Sequence, residues 1–147
     1  MRICIDTTIL IDILKDEYRS FQEMLYVALA RKESLVIPTV VFAELMPQFE
    51  GDTEQINLFL KEHLIRIDDL DLNAVIAAGS RWLQYLKRKS RVKCPKCGYD
   101  LIGREHFLSD FYIGGFALTH CDAILSRDRG IYRKYFPELK GYGDCLS

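Results

Sequence analysis

Along this chain, short continuous apolar runs alternate with stretches in which apolar residues recur every three or four positions. Ile3-Cys4-Ile5 is such a run, and it stops at Asp6. Ile9, Leu10, Ile13 and Leu14 then fit the inner stripe of a helix. The helical pattern extends from about Thr8 to Arg31, with a break near Asp16 to Ser20. Ser34-Leu35-Val36-Ile37 reads as a second strand closed by Pro38, a residue suited to the first turn of a helix. Val40, Val41, Glu44 and Leu45 fall at helical spacing between Thr39 and Met46, and Pro47 is expected to end that helix. Thr53 to His63 predicts another helix capped by Asp52 or Thr53, Leu64 to Ile67 a third strand, and Asp71 to Arg88 a long helix.

The periodicity fails from Ser90 to Leu108, around Cys94-Pro95-Lys96-Cys97-Gly98. It returns at Ser109 to Leu118, a helix expected to be capped by Ser109. Gly114 and Gly115 weaken that helix by about 1 kcal/mol each relative to Ala, and close packing on the sheet is the expected compensation. Cys121 to Ser126 reads as a fourth strand, Ile131 to Tyr135 as a short helix, and Tyr142 to Leu146 as an edge strand. Strands alternating with helices over the whole length predict an α/β chain, a three-layer α/β/α sandwich with a mostly parallel central sheet. Residues 1–147 are expected to form one domain with a cysteine-containing excursion at about 90–108.

Composition narrows the class. The chain is 49% apolar and 28% charged, as in globular proteins. No apolar run reaches membrane-spanning length, and Asp6 falls where a signal peptide needs apolar residues, so a cytoplasmic protein is expected. The five cysteines are an odd number, and Cys4 and Cys121 lie in or beside apolar runs, which favours reduced thiols over a disulfide frame. Net charge is −1, yet seven cations and no acid lie between Arg81 and Lys96. Within that block Lys87, Arg88, Lys89, Arg91 and Lys93 can contact the phosphates of a nucleic acid. Cations at a solvated helix end are the plainer alternative.

Functional groups in open parallel sheets gather beyond the carboxyl ends of the strands. Asp6 follows the first strand, Asp128 follows the fourth, Glu44 lies on the helix after the second, and Asp110 sits in the first turn of the helix before the fourth. Each acid alone has a structural explanation, as helix cap, half-exposed helix residue, dipole partner or turn residue. Together they point to one site. Asp122 precedes its strand and belongs at the opposite sheet edge from Asp6. His63, His106 and His120 have no assigned role, because a metal-activated water needs no imidazole.

Strand-Asp6-Thr7-Thr8, then Phe42-Ala43-Glu44-Leu45, then Asp110 opening Phe111 to Leu118, then Ile124-Leu125-Ser126-Arg127-Asp128 resembles the PIN-domain ribonucleases, and especially the VapC-type toxins of prokaryotic toxin–antitoxin pairs. The resemblance runs from Arg2 to about Phe136. It implies an endoribonuclease with an RNA substrate, an antitoxin protein as partner and a homodimer. Oxygen donors suit Mg²⁺ or Mn²⁺, and crowded carboxylates need a cation to relieve their repulsion. Asp6 and Asp110 are assigned as main metal ligands, Glu44 and Asp128 complete the shell, and Thr7 and Ser126 are expected to hold a water or phosphate oxygen.

The Ser90 to Leu108 segment departs from the VapC-like pattern. Cys94 and Cys97 form half of a zinc ribbon, and no second C-x-x-C is present. PIN-domain nucleases of ribosomal RNA maturation also resemble this pattern and remain an alternative. A non-catalytic RNA- or protein-binding PIN-like module is the alternative from another class, although it does not require all four acids.

Overall fold

The structure, a computed structural model, describes residues 1–88, 92–98, 100–101 and 107–146, the side chains of 92, 93, 100, 101, 145 and 146 excepted. Five strands form one sheet: β1 (Arg2–Ile5), β2 (Ser34–Pro38), β3 (Ile65–Asp68), β6 (Ala123–Leu125) and β7 (Lys140–Gly141). Their spatial order is β3-β2-β1-β6-β7, and every neighbouring pair is parallel. Ile3, Cys4 and Ile5 are all fully buried. Successive strand side chains point to opposite faces, so both faces of β1 are covered, as the apolar run before Asp6 requires. The order reverses direction at β1 and β6, which puts a switch-point crevice beyond their carboxyl ends.

Helices α1 (Thr7–Lys15) and α2 (Arg19–Ala30) are separated where the pattern breaks, and Asp16 and Tyr18 both adopt left-handed backbone there. Helix α3 (Thr39–Leu45) follows β2, α4 (Thr53–Glu62) precedes β3 with Asp52 as its cap, and α5 (Leu72–Arg88) runs on from β3. Helix α3 ends at Leu45, just before Pro47, as expected, and Pro47 then sits in the next turn. It opens a 3₁₀ turn at Met46–Phe49, where its missing N–H matters less than inside an α-helix. A small antiparallel hairpin, β4 (Val92–Lys93) with β5 (Asp100–Leu101), occupies part of the excursion.

Helix α6 (Leu108–His120) starts earlier than Ser109, with Phe107 at its cap position. The Phe107 N–H donates to Asp110 Oδ2 at 3.2 Å, so an acid in the first turn caps the helix from within. The last helix is α7 (Arg129–Tyr135). The edge strand is Lys140–Gly141, not the tail beyond it. Tyr142–Leu146 turns into a 3₁₀ helix instead, anchored by the buried Tyr142 ring.

Gly114 and Gly115 do pack closely, but not on the sheet. A Cβ on Gly114 would stand 2.5 Å from the Phe136 ring, and one on Gly115 would stand 2.5 Å from the Ala74 carbonyl oxygen and 2.8 Å from the Ala78 nitrogen. Gly115 thus lets the backbones of α5 and α6 approach each other. Gly115→Ala is expected to destabilise the fold by about 1–3 kcal/mol, because two backbones must separate rather than one side chain rotate. Urea denaturation checks this, and a loss below about 0.5 kcal/mol would contradict the close approach.

Candidate active site

Asp6 ends β1, and its backbone N–H donates to the Leu125 carbonyl at 2.9 Å, which joins the carboxyl ends of β1 and β6. Its backbone is extended, and its side chain accepts from Thr7 N–H at 2.9 Å, so Asp6 itself caps α1. Cap and site acid are one residue. The other carboxylate oxygen, Oδ2, accepts from the hydroxyls of Thr8 (3.0 Å) and Ser126 (2.5 Å). Two amides of the loop after β6 back these hydroxyls, Arg127 N–H donating to Thr8 Oγ1 at 3.2 Å and Asp128 N–H to Ser126 Oγ at 3.0 Å. The chain from amide to hydroxyl to carboxylate fixes the orientation of Asp6.

Three donors favour the carboxylate form, yet burial outweighs them. Asp6 is pushed up to about 6, first by burial and further by the charge of Asp110. Glu44, half-buried on α3, accepts from Thr7 Oγ1 at 2.9 Å. Burial raises it too, with Asp6 and Asp110 adding to the rise. Asp6, Glu44 and Asp110 therefore share one electrostatic pocket. Asp128 is exposed at the cap position of α7 and joins the group through its amide on Ser126. The buried Tyr132 ring, one turn into α7, feels the charges of Asp6, Asp110 and Asp128, which with burial hold its hydroxyl well above the usual phenol range.

Asp6, Glu44 and Asp110 thus sense one another's charge, while the exposed Asp128 reaches this region through its backbone amide. Among the described residues, no three carboxylate, imidazole or thiol groups stand close enough together to hold an ion as they are. The donor set fits a hard divalent cation in its chemistry. Every donor is an oxygen, and the burial and Asp110 charge that raise Asp6 are what a cation would offset. The Thr7 and Ser126 hydroxyls donate to Glu44 and Asp6.

Asp122 lies where its position implied, at the opposite ends of the strands, its carboxylate accepting from Arg2 N–H at 2.7 Å. His63 bonds the Phe59 carbonyl and His120 bonds Asp71, at 2.7 and 2.8 Å. His106 lies outside the described residues, as do Lys89, Arg91 and the side chain of Lys93. Lys87 and Arg88 are exposed at the end of α5, with Arg88 5.9 Å from the centre of the Tyr135 ring.

Sequence reasoning missed the support behind the site. Arg127 grips Asp12 with two hydrogen bonds, at 3.0 and 3.2 Å, and stacks 4.0 Å from the centre of the Tyr18 ring. Asp12 is fully buried. Its signal was present, an acid inside the apolar run Ile9-Leu10-Ile11-Asp12-Ile13-Leu14 of a short helix.

An open parallel sheet flanked by helices, with acids collected beyond the strand ends at its switch point, is a doubly wound α/β protein with its polar site in the crevice. Within that class the sequence is specific: a model of the PIN domain family matches residues 3–137, and the chain belongs to that family. The backbone is similar to a chain in the crystal structure of VapBC2 from Rickettsia felis bound to a DNA fragment from their promoter. The TM-score there is 0.67 at 17% identity, over 95% of this chain and 96% of that one. It is likewise similar to a chain of VapBC-1 from nontypeable Haemophilus influenzae, with TM-score 0.67 and 18% identity over 97% and 99% of the two chains. At these identities the likeness is one of fold. No curated protein matches the chain in sequence.

Proposed function

We propose that this protein is a metal-dependent endoribonuclease that hydrolyses RNA phosphodiester bonds, acting as the toxin of a toxin–antitoxin pair. The observation that carries the nuclease reading is the buried Asp6, raised to about 6 and coupled to Asp110, at the switch point of a PIN fold. Asp6 and Asp110 would hold Mg²⁺ or Mn²⁺, with Glu44 and Asp128 completing the shell. When bound, the cation supplies a lowered water pKa and positive charge for the leaving oxygen. Thr7 N–H, Thr8 and Ser126 keep the Asp6 carboxylate turned toward the crevice, and Thr7 Oγ1 holds Glu44 beside it. A bound cation would favour the ionised form of Asp6, against the burial that raises it.

Lys87, Arg88, Lys89, Arg91 and Lys93 would contact RNA phosphates. The likeness to VapBC toxin–antitoxin complexes supports the toxin reading and an antitoxin protein as partner. The Cys94–Cys97 hairpin is the feature that favours the second reading, a ribosomal RNA maturation nuclease. Cleavage of defined RNAs with mapped ends tests both. Internal cuts that require Mg²⁺ or Mn²⁺ support the nuclease, and intact RNA at every metal concentration contradicts it.

A homodimer is supported by the outer face of α5. Leu72, Ile76, Leu83 and Leu86 are 71, 59, 53 and 41% exposed, and with Gly79 they form a seam spaced by four, three, four and three residues. Among the described residues beyond its own helix turns, nothing lies within 4 Å of a Cβ placed on Gly79. Glycine costs about 1 kcal/mol in a helix, and here close approach of another molecule explains it. The seam is nearly symmetric about Gly79, and Arg81, its one charged residue from Leu72 to Leu86, is paired with Glu138. An antiparallel second copy would set Leu72 against Leu86 around a two-fold axis. Light scattering should give twice the 17.1 kDa chain mass for the wild type and the single-chain mass for Leu83→Asp. A monomeric wild type, or a variant that stays dimeric, contradicts this surface.

A further inference from the structure

We infer that Cys94 and Cys97 are thiolate ligands of a structural zinc ion carried by the β4–β5 hairpin. The inference concerns a second metal, chemically unlike the all-oxygen site, and it stands whether or not the chain cleaves RNA. The hairpin pairs Val92 with Leu101 and Lys93 with Asp100. Cys94 leaves β4, and Gly98, with φ of +72°, returns its N–H to the Cys94 carbonyl at 2.9 Å. Left-handed backbone at that point explains the glycine, and the turn folds the two cysteines onto one side.

The C-P-K-C-G turn sets two thiol side chains three residues apart under one backbone hydrogen bond, the spacing at which two thiolates reach one tetrahedral ion. Apolar packing does not account for this pair. Pro95, Lys96, Cys97 and Gly98 are exposed, and a hairpin with two-residue strands is marginal without a further constraint. Cys4 and Cys121 are free thiols elsewhere in the fold, Cys4 buried in β1 and Cys121 at the end of α6.

Binding exchanges the protons of the two thiols for the ion, so uptake releases two protons and weakens as pH falls. The remaining coordination positions are filled by non-thiolate groups or by the same pair from a second copy. A cobalt spectrum distinguishes these arrangements, because the intensity of thiolate-to-metal charge transfer counts the sulfurs.

The test uses the reduced full chain purified without added metal. Elemental analysis should find one zinc per chain, or one per two chains if the site is shared. Cobalt substitution should give intense near-ultraviolet charge-transfer absorption from two thiolates, or from four if shared. Cys94→Ser/Cys97→Ser should lose the metal and the absorption, while Cys121→Ser keeps both. Should the double variant fail to fold, alkylation of the wild type substitutes for it: zinc should shield Cys94 and Cys97, and a chelator should expose them. Zinc-free reduced wild type with no cobalt charge transfer would overturn the inference. So would a disulfide between the two cysteines, undiminished zinc in the double variant, or alkylation of both cysteines at full speed in the zinc-loaded protein.

Discussion

Asp6→Asn is expected to abolish RNA cleavage, by more than about 100-fold, and at the same time to make the metal-free protein more stable above pH 6. The two effects have one cause. In the folded protein Asp6 ionises near 6, against an ordinary value of 3.8. Between those values the native state holds a proton that the unfolded chain has released, so stability falls as pH rises through this window. Above pH 6 the penalty levels off at roughly 3 kcal/mol, the equivalent of about two pKa units. Asparagine keeps the shape and the acceptor for Thr7 N–H but carries no charge to bury. Chemical denaturation with chelator should show wild type and variant nearly alike at pH 4 and the variant ahead at pH 7. Mg²⁺ should then raise the wild type alone. Parallel pH profiles for the two proteins would mean that Asp6 is not a buried acid.

Arg127→Ala should cost about 3 kcal/mol of stability, the low end of the range for breaking a buried pair, because the guanidinium is a third exposed while Asp12 is fully buried. The alanine leaves the Asp12 carboxylate inside α1 without its two hydrogen bonds, and it removes the cation stacked on Tyr18. Adding Asp12→Asn should recover much of the loss, since the stranded charge is then gone. Urea midpoints of the single and double variants measure this directly. A single variant within about 0.5 kcal/mol of wild type would mean that the pair contributes little. The pair ties α1 to the loop after β6, and those two segments supply the amide and hydroxyls that hold Asp6. Arg127→Ala should therefore also slow cleavage below its unfolding range.

The strands and long helices were legible because each buries an apolar face whose spacing is local. β1, β2, the break between α1 and α2, and α5 all follow from such spacing. Features that leave no apolar spacing in the local sequence were not. The start of α6 depends on Asp110 reaching back to Phe107, where no side chain ahead of the helix marks a cap. The glycines of α6 pack on α5 and Phe136, which are far away in sequence. β7 is only Lys140–Gly141, too short to show a period. The acids were legible by position, since each lies beyond a strand end or at a helix start. Their state was not. Asp6 is raised to about 6 by burial and Asp110, and its orientation comes from Ser126, 120 residues away. The Asp12–Arg127 pair spans 115 residues and leaves only an unexplained acid in an apolar helix.

The central claim is that the acid pocket, and no other acid of the chain, cleaves RNA with a divalent cation. The measurement that tests it most directly is cleavage of an end-labelled RNA by wild type, Asp110→Asn and Asp122→Asn, purified identically and assayed with Mg²⁺, with Mn²⁺ and with chelator. Asp110 shares the pocket with Asp6, whereas Asp122 sits at the far ends of the strands on Arg2. The account predicts metal-dependent internal cuts by wild type and Asp122→Asn at similar rates, none with chelator, and at least about 100-fold less from Asp110→Asn. Equal cleavage by wild type and Asp110→Asn, or undiminished cleavage with chelator, would contradict it.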